Sequence, residues 1–384
     1  MALYKLLSVA LALTTVVSAA LPPTDYDVIV VGGGPAGLSV LSGLSRVRRR
    51  TALFDSHHYR NDPTREMHDV IGNDGTPPAD FRAAARAQIS NYPTASFIDN
   101  AIVSITPEPA DGTTLFRARD SSGAQYTARK VVLATGLIDL LPATPGLAEA
   151  FGKGIFWCPW CDGYEHRDQP FGILGTLPHI VSSVVEVATL NTDIIAFVNG
   201  SYTPDEVSTL ESSYPDWRAQ MQAYNVRIEN RTIDSITRLQ DGGEVQNEAQ
   251  DQQLDIFQIN FTEGDPVIRN ALLTNFDTAQ RSSIPTDLGL VMDDGKIDTS
   301  INTGMRTSLA GVFAVGDCNN DGSTNVPHAM FSGKRAAVFG HVELAREDMA
   351  AAVSKRSLSA RALQKEAERA MGDEMERIWE RVRV

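Results

Sequence analysis

The sequence predicts an α/β protein of two Rossmann-like dinucleotide-binding domains, the second inserted into the first. Three features carry this expectation. Tyr26-Asp27-Val28-Ile29-Val30-Val31 is the continuous apolar run of a strand buried on both faces, and it passes directly into Gly32-Gly33-Gly34-Pro35-Ala36-Gly37 and a helical stretch, Leu38 to Arg48. In the middle of the chain Phe171–Gly175, Ile180–Leu190 and Ile194–Val198 make a second strand–helix–strand alternation. Gly311-Val312-Phe313-Ala314-Val315-Gly316-Asp317 then returns to the opening pattern of strand, glycine and acid, so the outer halves are expected to fold together.

The boundaries that follow are a signal peptide at 1–20, a first part of the outer domain at 24–150, and an inserted domain at 151–267. The second part of the outer domain is set at 268–345, with a charged helical tail at 346–384. Lys355-Arg356 offers a dibasic processing site ahead of that tail, which reads equally as a solvated terminal helix.

Composition narrows the function. With 42% hydrophobic and 21% charged residues the 384-residue chain folds, and its length suits two to three domains. A formal net charge of −14 argues against nucleic acid or an anionic membrane as partner, since both need clustered cations. Lys5, the apolar run Leu6 to Val17 and Ser18-Ala19-Ala20 read as a cleavable leader, too short for a membrane span of about 20 residues. The expectation is a secreted, soluble protein without a membrane partner. The sequons at Asn199, Asn230 and Asn260 agree with export.

The glycine-rich turn carries the first chemistry. Gly32 permits a tight turn, Gly34 lets backbone amides approach a pyrophosphate, and Gly37 allows close helix–strand packing. The N-terminus of the helix that follows favours phosphate, and Pro35 and Ala36 lie in the same turn as candidate cofactor contacts. Asp55 ends the next strand 23 residues after Gly32, where it can accept hydrogen bonds from ribose hydroxyls. This fingerprint alone does not separate NAD from FAD.

Three cysteines supply the second. Cys158-Pro159-Trp160-Cys161 closes a ring too short to constrain the unfolded chain much, so exchange chemistry suits it better than a structural role. Zinc would need four ligands, and only His166 is near, with Cys318 remote and no second CxxC. Cys318 reads as a small buried residue.

Ala134-Thr135-Gly136 and Gly316-Asp317 resemble the further marks of two-dinucleotide-binding flavoproteins, which implies FAD, with Asp317 on the ribityl chain. Cys158-Pro-Trp-Cys161-Asp162-Gly163-Tyr164 resembles the C-x-x-C-D-G segment of low-molecular-weight thioredoxin reductases. The fold implied is thioredoxin-reductase-like. By that resemblance Cys161 lies against the flavin, Cys158 is the interchange thiol, and Asp162 exchanges protons with the pair, unless it only forms the turn before Gly163.

One departure stands out. Gly172-Ile173-Leu174-Gly175-Thr176-Leu177-Pro178-His179 lacks the family's second fingerprint, and Asn199-Gly200-Ser201-Tyr202 lacks the arginines that hold a 2′-phosphate, so NADPH is not expected. The pattern resembles the fungal secreted sulfhydryl oxidases and gliotoxin-oxidase-like dithiol oxidases. Asp55-Ser-His-His-Tyr-Arg60-Asn61, Met67-His68, Asp74-Gly75…Phe81-Arg82, Cys158 to Glu165 and Asn325-Val-Pro-His328-Ala329 carry that likeness. It implies FAD contacts from Asp55, Arg60, His68 and Ala329. It also implies His328 as general base for a substrate thiol, or as a hydrogen-bond partner of the flavin. The activity implied is oxidation of small thiols such as glutathione by oxygen, giving hydrogen peroxide, in a homodimer. The alternatives are a dithiol oxidase acting on a secondary metabolite, an NADPH-dependent thioredoxin-reductase-type enzyme, and a flavoprotein module with an inert disulfide.

Overall fold

The computed structural model describes residues 22–110 and 113–353. The leader at 1–20 and the chain from Ser354 on, with Lys355-Arg356, lie outside the described residues.

Strand β1 (Tyr26–Val31) lies between β2 (Thr51–Phe54) and a later strand, β6 (Gln125–Leu133), parallel to both, which is why Val28, Ile29 and Val30 are fully buried. The sheet runs β3-β2-β1-β6-β5-β4, where β3 is Ala95–Ile98, β4 Ile102–Ala110 and β5 Thr113–Asp120. β6 is shared along its length. Its first half pairs antiparallel with β5, and its second half, Val131–Leu133, pairs parallel with Val312–Ala314. The outer halves of the chain therefore close into one sheet across the insertion, as the glycine–acid return at Gly316-Asp317 suggests.

Helix α1 (Pro35–Arg46) starts at the proline, three residues before the sequence reading placed it, because proline is pre-set for the first helical position. Leu38, Val40, Leu41 and Leu44 face Val28, Val30, Leu53, Val132 and Phe313 in the core. The helix stops where Arg48 takes φ 58°. A second helix, α2 (Pro78–Ile89), covers the same side.

The inserted domain has its own five-stranded parallel sheet. In chain order its strands are β7 (Ile155–Phe156), β8 (Phe171–Leu174), β9 (Ile194–Phe197), β10 (Arg227–Glu229) and β11 (Ala271–Thr274), and the spatial order is β10-β9-β8-β11-β7. β11 sits between β8 and β7, although the sequence boundary at 267 assigns it to the outer domain. Its four residues are all buried and carry no periodicity to say which sheet they join. The helix after β8 covers Ile180–Val187 and closes a core with Phe156, Phe171, Leu210 and Trp217. A separate three-stranded antiparallel sheet, Ile233–Gln240, Ile256–Phe261 and Val267–Arg269, packs Ile236, Phe257 and Ile259 against Ile155 and Leu272. The chain enters and leaves the insertion through paired segments, Leu137–Asp139 antiparallel to Thr278–Gln280. Among the described residues no helix is long and apolar enough to cross a membrane.

Gly32 shows how tightly the first turn is built. Its φ is 116°, and a Cβ there would stand 2.2 Å from the Ala134 carbonyl oxygen. Gly32→Ala is expected to destabilise the protein by roughly 3 kcal/mol, combining backbone strain with overpacking. Urea unfolding of the variant beside the wild type measures it.

Candidate active site

The β1–α1 turn, the end of β2 and the ends of β6 and Val312–Ala314 open on one groove of about 440 Å³. Gly32, Gly34, Pro35, Ala36, Asp55, Arg60, Thr135, Gly136, Gly316, Asp317 and Ala329 line it, so eleven of the residues expected at a cofactor meet here. Gly37 instead packs under the turn, where a Cβ would lie 1.9 Å from the Gly32 carbonyl oxygen.

The groove fits FAD. No protein atom stands within 4 Å of a Cβ built on Gly34, so the turn faces open space where a pyrophosphate would approach the helix N-terminus. Asp55 is buried and already accepts from the His57 amide (2.9 Å), the Tyr59 hydroxyl (2.7 Å) and Arg86 (3.1 Å), which hold its carboxylate in place at the ribose end. The Thr135 hydroxyl oxygen is buried without a protein partner on the groove wall, an orphan that a bound ligand would satisfy. Arg60 forks onto Asp139 (2.6 and 2.9 Å), reaches Asp317 at 3.0 Å and lies over the Trp157 ring. Burial raises the Asp317 carboxyl and Arg60 opposes it. Tyr59, Arg86, Asp139 and Trp157 were not singled out from the sequence. Only Tyr59 falls inside a quoted motif, and the others reach the site from separate elements.

Trp157, on the groove wall, immediately precedes the redox turn. Cys158 and Cys161 form a disulfide, with Cys158 capping a one-turn helix, Pro159–Asp162. The zinc reading fails here, because the two sulfurs bond each other and His166 points its Nε2 at Asp255, 3.1 Å away. Cys318 is buried and unbridged, and burial pushes its thiol up to about 11, which removes it from exchange at neutral pH.

His68 is not on the groove wall. Its Nδ1–H donates to the Cys161 carbonyl at 2.8 Å, and Nε2 stands 3.6 Å from Glu165. Burial opposes its charge, but Glu165, the Cys161 carbonyl and Asp162 outweigh that and hold the ring above the ordinary imidazole value. Asp162 is half-buried, and burial pushes it up to about 7 against the pull of His166 and His68. The final helix, 326–353, begins beside the groove. There the His328 amide donates to Asn325 Oδ1, and His328 Nε2 lies 2.7 Å from Asp321 Oδ2 in a close contact not aligned as a hydrogen bond. Asp321 too is not singled out by any local signal. It lies seven positions before His328 in a loop, and only folding turns its 2%-exposed carboxylate onto the ring.

Residues 26–203 match the family model described as pyridine nucleotide-disulphide oxidoreductase. A "Probable thioredoxin reductase" of Arthroderma benhamiae is 51% identical across 96% of both chains. The chain belongs to the pyridine nucleotide-disulphide oxidoreductases, in their thioredoxin-reductase branch. "Thioredoxin reductase tcpT" of Claviceps purpurea is 32% identical over 83% of this chain and 94% of its own. The crystal structure of HlmI superposes with a TM-score of 0.76 at 30% identity, over 87% of this chain and 97% of that one.

These relatives overturn the sulfhydryl-oxidase and gliotoxin-oxidase assignment, and with it the small-thiol and oxygen partners and the thiol-oxidase activity. That assignment gave too much weight to the altered turn at Gly175–His179. The β8–turn–helix–β9 unit and its five parallel strands are intact around that turn, so the second dinucleotide-binding fold persists whatever its contacts.

Asp162 makes a pH test. Its folded pKa of about 7 lies above the ordinary 3.8, so the folded chain keeps a proton that the unfolded chain releases, and stability from this group falls as pH rises through that window. Asp162→Asn is expected to lose less stability than wild type between pH 4 and pH 8. Chemical denaturation at both pH values reads the difference.

Proposed function

We propose that the protein is a FAD-dependent disulfide oxidoreductase of the thioredoxin-reductase type, reducing the disulfide of a thioredoxin-like protein through Cys158 and Cys161. The observation that carries the reading is the Cys158–Cys161 bond on a turn contiguous with Trp157 of the FAD groove, in a chain half identical to a probable thioredoxin reductase. The family description implies a pyridine nucleotide as electron source, NADPH in the reductases of this type. FAD, when bound, would take two electrons from the nucleotide and pass them to the disulfide.

The protein's own part is thiol and proton chemistry. Two electrons and two protons open the bond to two thiols. The Cys158 thiolate attacks one sulfur of the partner's disulfide and expels the other, forming a mixed disulfide. The Cys161 thiolate then attacks the Cys158 sulfur, restoring the intramolecular bond and releasing the partner's second thiol. Asp162, with its pKa near neutrality, suits proton exchange with the pair. His328, whose ring Nε2 lies beside the Asp321 carboxylate, is the second candidate base, suited by its protonation range to take the proton of a thiol. His68 holds the Cys161 carbonyl and so positions the turn.

The test is anaerobic. Flavin-loaded enzyme reduced by a pyridine nucleotide or photochemically is mixed with oxidised thioredoxin, and the thiols released are counted. Two per disulfide are expected, with Cys158→Ser and Cys161→Ser each abolishing the release. Full release by the double variant overturns the reading. His328→Gln is expected to lower turnover by about 10²-fold or more, the usual contribution of a general base, and Asp321→Asn by less, with a shifted pH profile. Stopped-flow rates against pH measure both.

A further inference from the structure

We infer that the inserted domain does not recognise the 2′-phosphate of a nicotinamide dinucleotide, so that NADPH has no binding advantage over NADH. This rests on the reading that a pyridine nucleotide docks on β8, β9 and the helix between them, and it says that the site does not discriminate at the 2′ position.

A 2′-phosphate carries close to two negative charges and is held by cations, usually arginines, placed after the second strand of the unit. Here that segment is Val198 to Thr203, and its polar groups are already engaged on protein. Asn199 Oδ1 accepts from the Ile233 amide at 2.8 Å. The Ser201 hydroxyl donates to the Val198 carbonyl at 2.6 Å and accepts from the Leu177 amide at 2.9 Å. The Tyr202 amide donates to Asn230 Oδ1 at 2.9 Å.

No cation is free to replace them. Residues 171–275 contain five arginines and no lysine, and every one of the five sits in an ion pair: Arg218 with Glu211, Arg227 and Arg269 with Asp193, Arg231 with Glu229, and Arg238 with Asp255. The same stretch holds fifteen carboxylates, so its field repels a dianion.

The phosphate-facing turn agrees. At the outer domain's turn the first helical amides lack intrahelical partners and face the groove. At the inserted turn the Leu177 amide donates to Ser201 and Pro178 has none, whereas the glycine that ends the strand is held alike in both turns, Gly175 donating to Phe197 and Gly32 to Phe54. The Leu177 side chain is fully buried, which anchors the turn in this form. The site therefore grips a dinucleotide weakly and without regard to the 2′ position.

Calorimetric titration of the flavin-loaded protein with NADP⁺ and NAD⁺ tests this without turnover. Both are expected to bind, NADP⁺ no tighter than NAD⁺, and binding of neither at about 1 mM overturns the docking on which the inference rests. NADP⁺ binding tenfold or more tightly overturns the inference. Tyr202→Arg, at an exposed position, is expected to shift the affinity ratio about tenfold toward NADP⁺, and an unchanged ratio overturns the assignment of the segment. Because the readout is binding, loss of flavin-to-disulfide transfer would leave it interpretable, and its failure would leave that transfer intact.

Discussion

A single buried carboxylate holds the two domains in working register. Asp255 is fully buried in the inserted domain, yet it accepts from Arg65 of the outer domain at 3.0 Å on both oxygens, from His166 at 3.1 Å, from the Gly242 amide at 2.9 Å, and from Arg238. Burial alone would raise such a group, but His166, Arg65 and the Gly242 amide hold it down at about 2. An uncompensated carboxylate here would cost several kcal/mol, so these donors are needed together. Arg65 and His68 lie three residues apart on one outer-domain segment, and His166 lies five residues after Cys161. The same charge cluster that closes the domain seam therefore places the redox turn.

Arg60 does related work on the cofactor side. It neutralises Asp139 at the entrance to the insertion and Asp317 at the groove, and it covers Trp157, the residue that leads into Cys158. Between them, Arg60 and Arg65 join groove, crossing segment and disulfide into one charge-compensated layer. The chemistry of thiol exchange is mild in itself. What the fold adds is placement of two sulfurs on a turn next to a flavin groove, with a carboxyl near pKa 7 and the His68 ring against that turn.

The two dinucleotide units have diverged within one chain. Both turns keep an open glycine, Gly34 and Gly175, but at the inserted turn the Leu177 amide is taken by Ser201 and a proline follows it. Retaining the parallel sheet while changing the loop is the ordinary way α/β folds alter ligands, since binding lives at the strand ends and stability lives in the strands. Reading the altered loop as loss of the nucleotide branch conflated these two levels, and whole-chain similarity corrected it.

Much of the architecture is legible in the residues. The β1–α1 turn, Asp55, Thr135-Gly136 and Gly316-Asp317 are local signals, because a strand buried on both faces and a turn with positive φ constrain residue type wherever they occur. The CxxC pair is local too, since four consecutive residues suffice to close the bond. The affiliation of β11 with the inserted sheet is not local. Nor are the Asp321–His328 contact, the diversion of His68 from the groove to the Cys161 carbonyl, or the convergence of Arg65, His166 and Arg238 on Asp255. Each joins residues whose own neighbourhoods are indifferent to the choice. Burial decides these cases: a charged group removed from water must find its partner in three dimensions, and only the packed chain determines which one is within reach.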